Sequence, residues 1–168
     1  MSTPPEPLHV LPLGRLQGAQ ALAQAIRAAV EQASRQGWRE WWWSDADFAD
    51  WPLGEPGVVD ALNRWAQGGR HLRLLARDFQ AVHRLHPRFV RWRTTWDHLV
   101  EARVGATLSE QDLPSCCWTP VWTCQRIDRV RGVLLCSDDP AARSGLQLSL
   151  REAWGRATPG FGASVLGL

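Results

Sequence analysis

Three consecutive tryptophans, Trp41-Trp42-Trp43, limit this chain's fold more than any other feature. Along a strand, successive side chains point to opposite faces. The run therefore places large aromatic surface on both sides, and a strand with no polar face must be covered on both. It is short, follows Gly37 closely, and leads into an acidic, turn-rich segment with Asp45, Asp47 and Asp50. Those flanks favour a buried strand over Trp38–Ser44. An exposed aromatic recognition surface is the alternative.

The neighbouring segments fit a layered α/β domain. Leu22, Ile26, Ala29, Val30 and Ala33 recur at helical spacing within residues 17–36, and Gly37 stands where a C′ glycine ends a helix. Residues 56–67 read as a second helix, with Val58, Val59, Leu62 and Trp65 on one side and Gly68-Gly69 after it. His71–Ala76 reads as a second strand, which completes a strand, helix, strand order. Helices are expected over 79–85 and again from Pro87, where Phe89, Trp92, Trp96 and Leu99 form one apolar stripe. His98–Val104 reads as a strand, residues 107–120 as a polar connection, and Val121–Arg126 with Val130–Cys136 as a hairpin around Ile127–Arg129. Ser137-Asp138-Asp139-Pro140 is a helix start, and Leu146, Leu148, Leu150 and Trp154 sit on the last helix. Residues 1–15 hold four prolines and read as an extended lead-in, with a short strand around His9–Leu13. The domain then occupies 16–155, with a frayed tail over 156–168.

Composition removes several functions. All 19 basic residues are Arg, so there is no lysine for a Schiff base, a P-loop or a kinase site. A net charge of +2 gives no global pull toward nucleic acid, so such binding needs a local patch. Cys116, Cys117, Cys124 and Cys136 match no zinc spacing and read as reduced thiols of a cytoplasmic protein. No cofactor and no metal site is expected. No run of 18 apolar residues and no signal-peptide pattern occurs, so no membrane partner is expected either.

The densest chemistry lies between Arg77 and Arg103. Arg84, His86, Arg88, Arg91, Arg93 and His98 are the candidate anion- or partner-binding residues, since guanidinium forks grip phosphates and carboxylates. A solvated helix face with local ion pairs is the alternative. His98 beside Asp97 resembles half of a catalytic pair, with Ser137 or Cys124 as the only tempting nucleophiles. Asp45, Asp47 and Asp50 lack the continuation of a calcium loop and read as turn chemistry. Most of the 11 tryptophans fall at core positions, whereas Trp51, Trp118 and Trp122 lie near expected loops and are candidates for partial exposure.

Five segments together carry a family resemblance: Trp43-Ser44-Asp45-Ala46-Asp47-Phe48, Leu72–Asp78, His86–Arg93 followed by Trp96-Asp97-His98, the hairpin Trp122–Asp139, and the Trp-bearing last helix. In this order the chain resembles one half of the phospholipase D superfamily. More closely, it resembles bacterial phospholipase-D-like domains that occur alone or downstream of GNAT-type acetyltransferase domains. The resemblance implies an α/β/α sandwich with a mixed sheet. The superfamily motif is H-x-K-x-x-x-x-D, followed by a G-S pair on the next strand. Cys136-Ser137 stands at the G-S pair, which places Trp122 near the histidine, Cys124 near the lysine, and Arg129 (or Asp128, one residue earlier) near the aspartate. The attacking imidazole and the phosphate-holding ammonium are both missing, so the resemblance implies the fold and argues against the activity. It also implies partners: a second copy in a homodimer, since active members need two motifs, or an acetyltransferase-type domain. The expected role is a non-catalytic binding or accessory module acting through residues 84–98. A nucleic-acid-binding module from the nuclease branch is the alternative, and a cryptic enzyme using His98 or Cys124 is the third reading.

Overall fold

The computed structural model describes residues 10–161, so most of the expected lead-in and the last seven residues lie outside the described part. The tryptophan run forms β2 (Glu40–Ser44). The other strands are β1 (Gly14–Gln17), β3 (His71–Ala76), β4 (Val100–Val104), β5 (Cys116–Trp118), β6 (Thr123–Asp128), β7 (Val133–Ser137) and β8 (Thr158–Pro159). They make one eight-stranded sheet in the order β1-β7-β6-β5-β2-β3-β4-β8. β2, β3 and β4 run parallel, and every other pairing is antiparallel. Five helices accompany it: α1 (Ala21–Gln36), α2 (Pro56–Trp65), α3 (Gln80–Leu85), α4 (Pro87–Thr95) and α5 (Pro140–Gly155). The fold is therefore mixed α/β, as expected. No helix among the described residues is long and apolar enough to cross a membrane.

The alternation along β2 explains the layering. Trp41 and Trp43 turn to the face that carries α1, α2 and α4, where Trp41 meets Trp65 at 5.3 Å and Trp43 meets Phe89 at 5.8 Å. Trp42 turns to the other face and packs edge-on against Trp154 of α5, 5.3 Å away, beside Leu146 and Leu150. Each Trp buries roughly 150–250 Å², and no one-sided sheet would hide all three.

Local signals place most helix ends. Gly37 takes φ 64°, a left-handed conformation favoured by glycine, and its N–H closes α1 on the Ala33 carbonyl. Asp139 caps α5 by accepting from the Ala141 N–H, with Pro140 in the first turn. The hairpin turn comes later than expected, at 129–132. There Gly132 has φ 65°, and a Cβ would sit 2.9 Å from the Gly18 carbonyl oxygen. That contact leaves room for no side chain.

Several expectations are corrected. β5 lies inside the segment read as a polar connection: three residues between Pro114 and Pro120 are too short to show a period. Leu148 is 63% exposed, because the helical period turns Leu146 and Leu150 inward instead. Trp51, Trp118 and Trp122 are all buried. The Trp122 indole donates to the Pro12 carbonyl (2.7 Å), and that of Trp118 donates to the Arg143 carbonyl (2.9 Å), so chain distant in sequence covers both. At the N-terminal end, the short strand expected around His9–Leu13 lies later, at Gly14–Gln17, where β1 pairs with β7. Beyond residue 155, β8 pairs with β4 and the Phe161 ring stacks on Phe79 at 4.6 Å, so the part of the tail described here is packed.

Trp43 touches Trp41, Trp51 and Phe89 and is fully enclosed. Trp43→Ala should cost about 3–5 kcal/mol, read as a lowered urea midpoint with an unchanged slope.

Candidate functional site

In open α/β sheets, ligands bind outside the carboxyl ends of the strands, where neighbouring strands leave in different directions. Here β2 is such a point: β3 follows it on one side, and β5 comes back to pair on the other. A cleft of about 550 Å³ lies there, a ligand-sized volume. It is lined by Ala46, just past β2, Arg77, just past β3, Ser115, just before β5, Gln125 and Arg126 of β6, Arg129 of the following turn, and Ser149 and Glu152 of α5.

Beneath this cleft sits Asp45, which has no exposed surface. A buried carboxylate is costly unless hydrogen-bonded and paired. Oδ1 accepts from Ser115 Oγ (2.6 Å), Arg126 Nη2 (2.7 Å) and Arg129 Nη2 (2.8 Å). Oδ2 accepts from the backbone N–H groups of Asp47 (3.2 Å) and Phe48 (2.8 Å). Burial pushes the carboxyl pKa up. The Ser115 hydroxyl, the two guanidiniums and the Phe48 N–H outweigh it and hold Asp45 below its ordinary value. Arg126 is itself buried. Its Nε donates to Ser115 Oγ (3.1 Å), and its Nη1 pairs with Asp50.

Two backbone features aim these groups. The β6–β7 register shifts between Arg126 and Asp128, a bulge of the kind that redirects a side chain at a site. Phe48 is held at φ 58°, a strained conformation for a bulky residue. Its N–H goes to Asp45, and its carbonyl accepts from His86 Nε2 at 2.8 Å. His86 thus braces the loop that carries Asp45.

The sequence candidates are separated. His86 and Arg93 are buried: His86 acts as that brace, and Arg93 donates to Asp97 (2.7 Å) and to the Phe161 carbonyl (3.0 Å). Arg84, Arg88, Arg91 and His98 are exposed. Only Arg88 and Arg91 share a groove, about 350 Å³ between α2 and α4, and Arg77 lies in the other cleft. Of the degenerate-motif positions, Arg129 alone reaches the strand-end cleft. Trp122 is buried, Asp128 caps its own turn on the Arg131 N–H (3.0 Å), and Ser137 Oγ accepts from the Asp139 N–H (3.0 Å). Cys124 is enclosed between Cys117 and Cys136 on neighbouring strands. A hydrogen bond to Cys136 and burial raise its pKa, while the same bond lowers that of Cys136. Asp97 Oδ1 accepts from Arg93, and no bond joins Asp97 to His98 among the described residues.

Asp45 was expected to do turn chemistry, and its two backbone bonds are that. Its three side-chain partners were not foreseen. Arg126 and Ser115 carried no sequence signal, because they lie 81 and 70 residues from Asp45.

These features define a mixed α/β domain with an arginine-lined cleft at its strand ends. No protein-family model matches the sequence, and no curated protein does. Among solved structures, the chain is similar to TrmBL2, described as an archaeal chromatin protein whose structure shows a novel mode of DNA binding. The TM-score is 0.62 and the identity 13%, over 86% of this chain and 52% of that one. The chain thus spans about half the length of that protein, and the likeness is one of fold.

Asp45→Asn leaves two guanidiniums without their buried counter-charge and should cost about 3–5 kcal/mol. Because the native Asp45 pKa lies below the unfolded value of about 3.9, its stabilisation is complete above that pH. It is lost as pH falls through the native value. Urea midpoints measured from neutral pH down to below about pH 4 should therefore fall more steeply in the parent than in Asp45→Asn.

Proposed function

We propose that this chain is a non-catalytic binding module of the phospholipase-D-like type, a single half, whose ligand occupies the cleft at the ends of β2, β3 and β6. One observation carries this reading: the wholly buried Asp45 holds two guanidiniums in place at the wall of a cavity of about 550 Å³. Such pre-positioning favours binding, because little side-chain freedom remains to be lost when a ligand arrives. The non-catalytic part is supported by the residues at the motif positions: an enclosed indole at Trp122 and an enclosed thiol at Cys124. The assignment to the phospholipase-D-like type rests on the sequence resemblance and fits the mixed sheet with helices on both faces.

The test is a thermal-shift panel of neutral, cationic and anionic metabolite-sized compounds, run beside Ser149→Trp, which fills the cleft from the exposed side of α5. Members of the panel should raise the parent's Tm and lose that effect in Ser149→Trp. A panel that leaves the parent's Tm unmoved overturns the reading, as does metal-independent phosphodiester hydrolysis abolished by a cleft mutation.

A second reading, nucleic-acid binding, is favoured by Arg84, Arg88 and Arg91. All three are exposed and none has a carboxylate partner among the described residues. The fold likeness to a DNA-binding chromatin protein points the same way. It loses weight because Arg77, from the same arginine-rich stretch, lies in the other cleft and adds nothing to a patch formed by these three. Fluorescence anisotropy with single- and double-stranded oligonucleotides decides it. If the reading holds, log affinity falls with log salt by about 0.7–0.9 per phosphate contacted, and Arg88→Ala/Arg91→Ala weakens binding and flattens that slope. No binding at micromolar protein sets it aside.

A further inference from the structure

The cleft's charges are unequally engaged. Four arginines (77, 126, 129, 156) and three acids (Glu110, Asp112, Glu152) line it. Arg126 is committed to Asp45, Asp50 and Ser115, and Arg156 pairs with Asp112 at 3.3 Å. Arg77 differs. It has no carboxylate partner among the described residues, its Nη2 donates to the Leu108 carbonyl at 3.1 Å, and its Nε is enclosed with no acceptor. A buried donor without an acceptor is costly, and a charged one especially so. Arg129 gives one nitrogen to Asp45, while its Nη1 stands 3.9 Å from Asp47, too far for a hydrogen bond. It comes from the turn between β6 and β7 and is 44% exposed. Two arginines from different elements thus line one cavity, and neither Nη1 makes a hydrogen bond among the described residues.

We propose that this cleft takes a small organic molecule bearing one oxyanion group, a carboxylate or a phosphate, seated between Arg77 and Arg129. The ligand's hydroxyl or amine donors meet Glu110 and Glu152, which line the same cavity. The inference rests on the cleft being the ligand site and adds the chemistry of its occupant. A guanidinium fork matches the planar edge of either oxyanion in bidentate fashion. Arg126, Arg129 and Arg156 all have carboxylate partners, so Arg77 is the one guanidinium lining the cleft without one among the described residues, which suits a single anionic group and disfavours a polyanion.

The experiment compares Tm in inorganic phosphate, in succinate and in chloride at equal ionic strength, for the parent and for Arg77→Gln. At roughly ten times Kd, phosphate or succinate should raise the parent's Tm by about 3 °C over chloride. Arg77→Gln should abolish that rise, and the two arms show which oxyanion is preferred. Equal Tm in all three salts overturns the proposal, and so does a rise that survives Arg77→Gln. Should Arg77→Gln fail to fold, the side-chain Nε–H signal of Arg77 in ¹⁵N spectra of the parent decides. Its shift on titration supports the proposal, and a static Arg77 signal overturns it. A neutral compound that stabilises both the parent and Arg77→Gln but not Ser149→Trp would overturn the anion while leaving the binding module standing.

Discussion

A carboxylate with no access to water must be met by donors on every side, and Asp45 imposes that condition on four parts of this chain. Two donors come from its own loop, one from the residue just before β5, one from β6 and one from the turn after it. The strands that flank β2 on one side are thereby tied to its carboxyl end. In low dielectric each of these bonds is stronger than in water, and any missing one is correspondingly expensive. The network therefore behaves as a unit, and the cleft above it inherits its rigidity.

The loop that presents Asp45 shows how the structure bears a local cost. Phe48 occupies a conformation bulky residues avoid, and its N–H, its carbonyl and its ring are all engaged, by Asp45, His86 and Trp51 respectively. His86 shows the general point about histidine-rich stretches. Its place beside Arg84 and Arg88 looks like part of a binding surface, but the ring turns inward and holds backbone. Arg93 does the same for the chain end, fastening Phe161. What remains outside is a set of arginines without buried support, which is the ordinary state of charged surface.

Much of the fold was legible because it rests on local rules. The strand at Trp41–Trp43, the strand at His71–Ala76, the glycine stop at Gly37 and the Asp139-Pro140 start all follow from period, burial or capping within a few residues. β5 was not legible, since three residues gain strand geometry only by pairing with β2 and β6. The burial of Trp118 and Trp122 was missed for a related reason: what covers them comes from elsewhere in the chain.

By itself, then, the sequence determined a mixed α/β domain, a strand covered on both faces, and the absence of any lysine chemistry. Those conclusions depend on side-chain alternation and on residue types, which are properties of short windows. The tertiary structure alone decided which arginines matter. Ion pairs and hydrogen bonds act over a few ångströms of space and take no account of separation along the chain, so Asp45 could find Arg126 and Arg129 only once β2, β5 and β6 lay side by side. The cleft, with Arg77 left unpaired inside it, exists only at that meeting of strands.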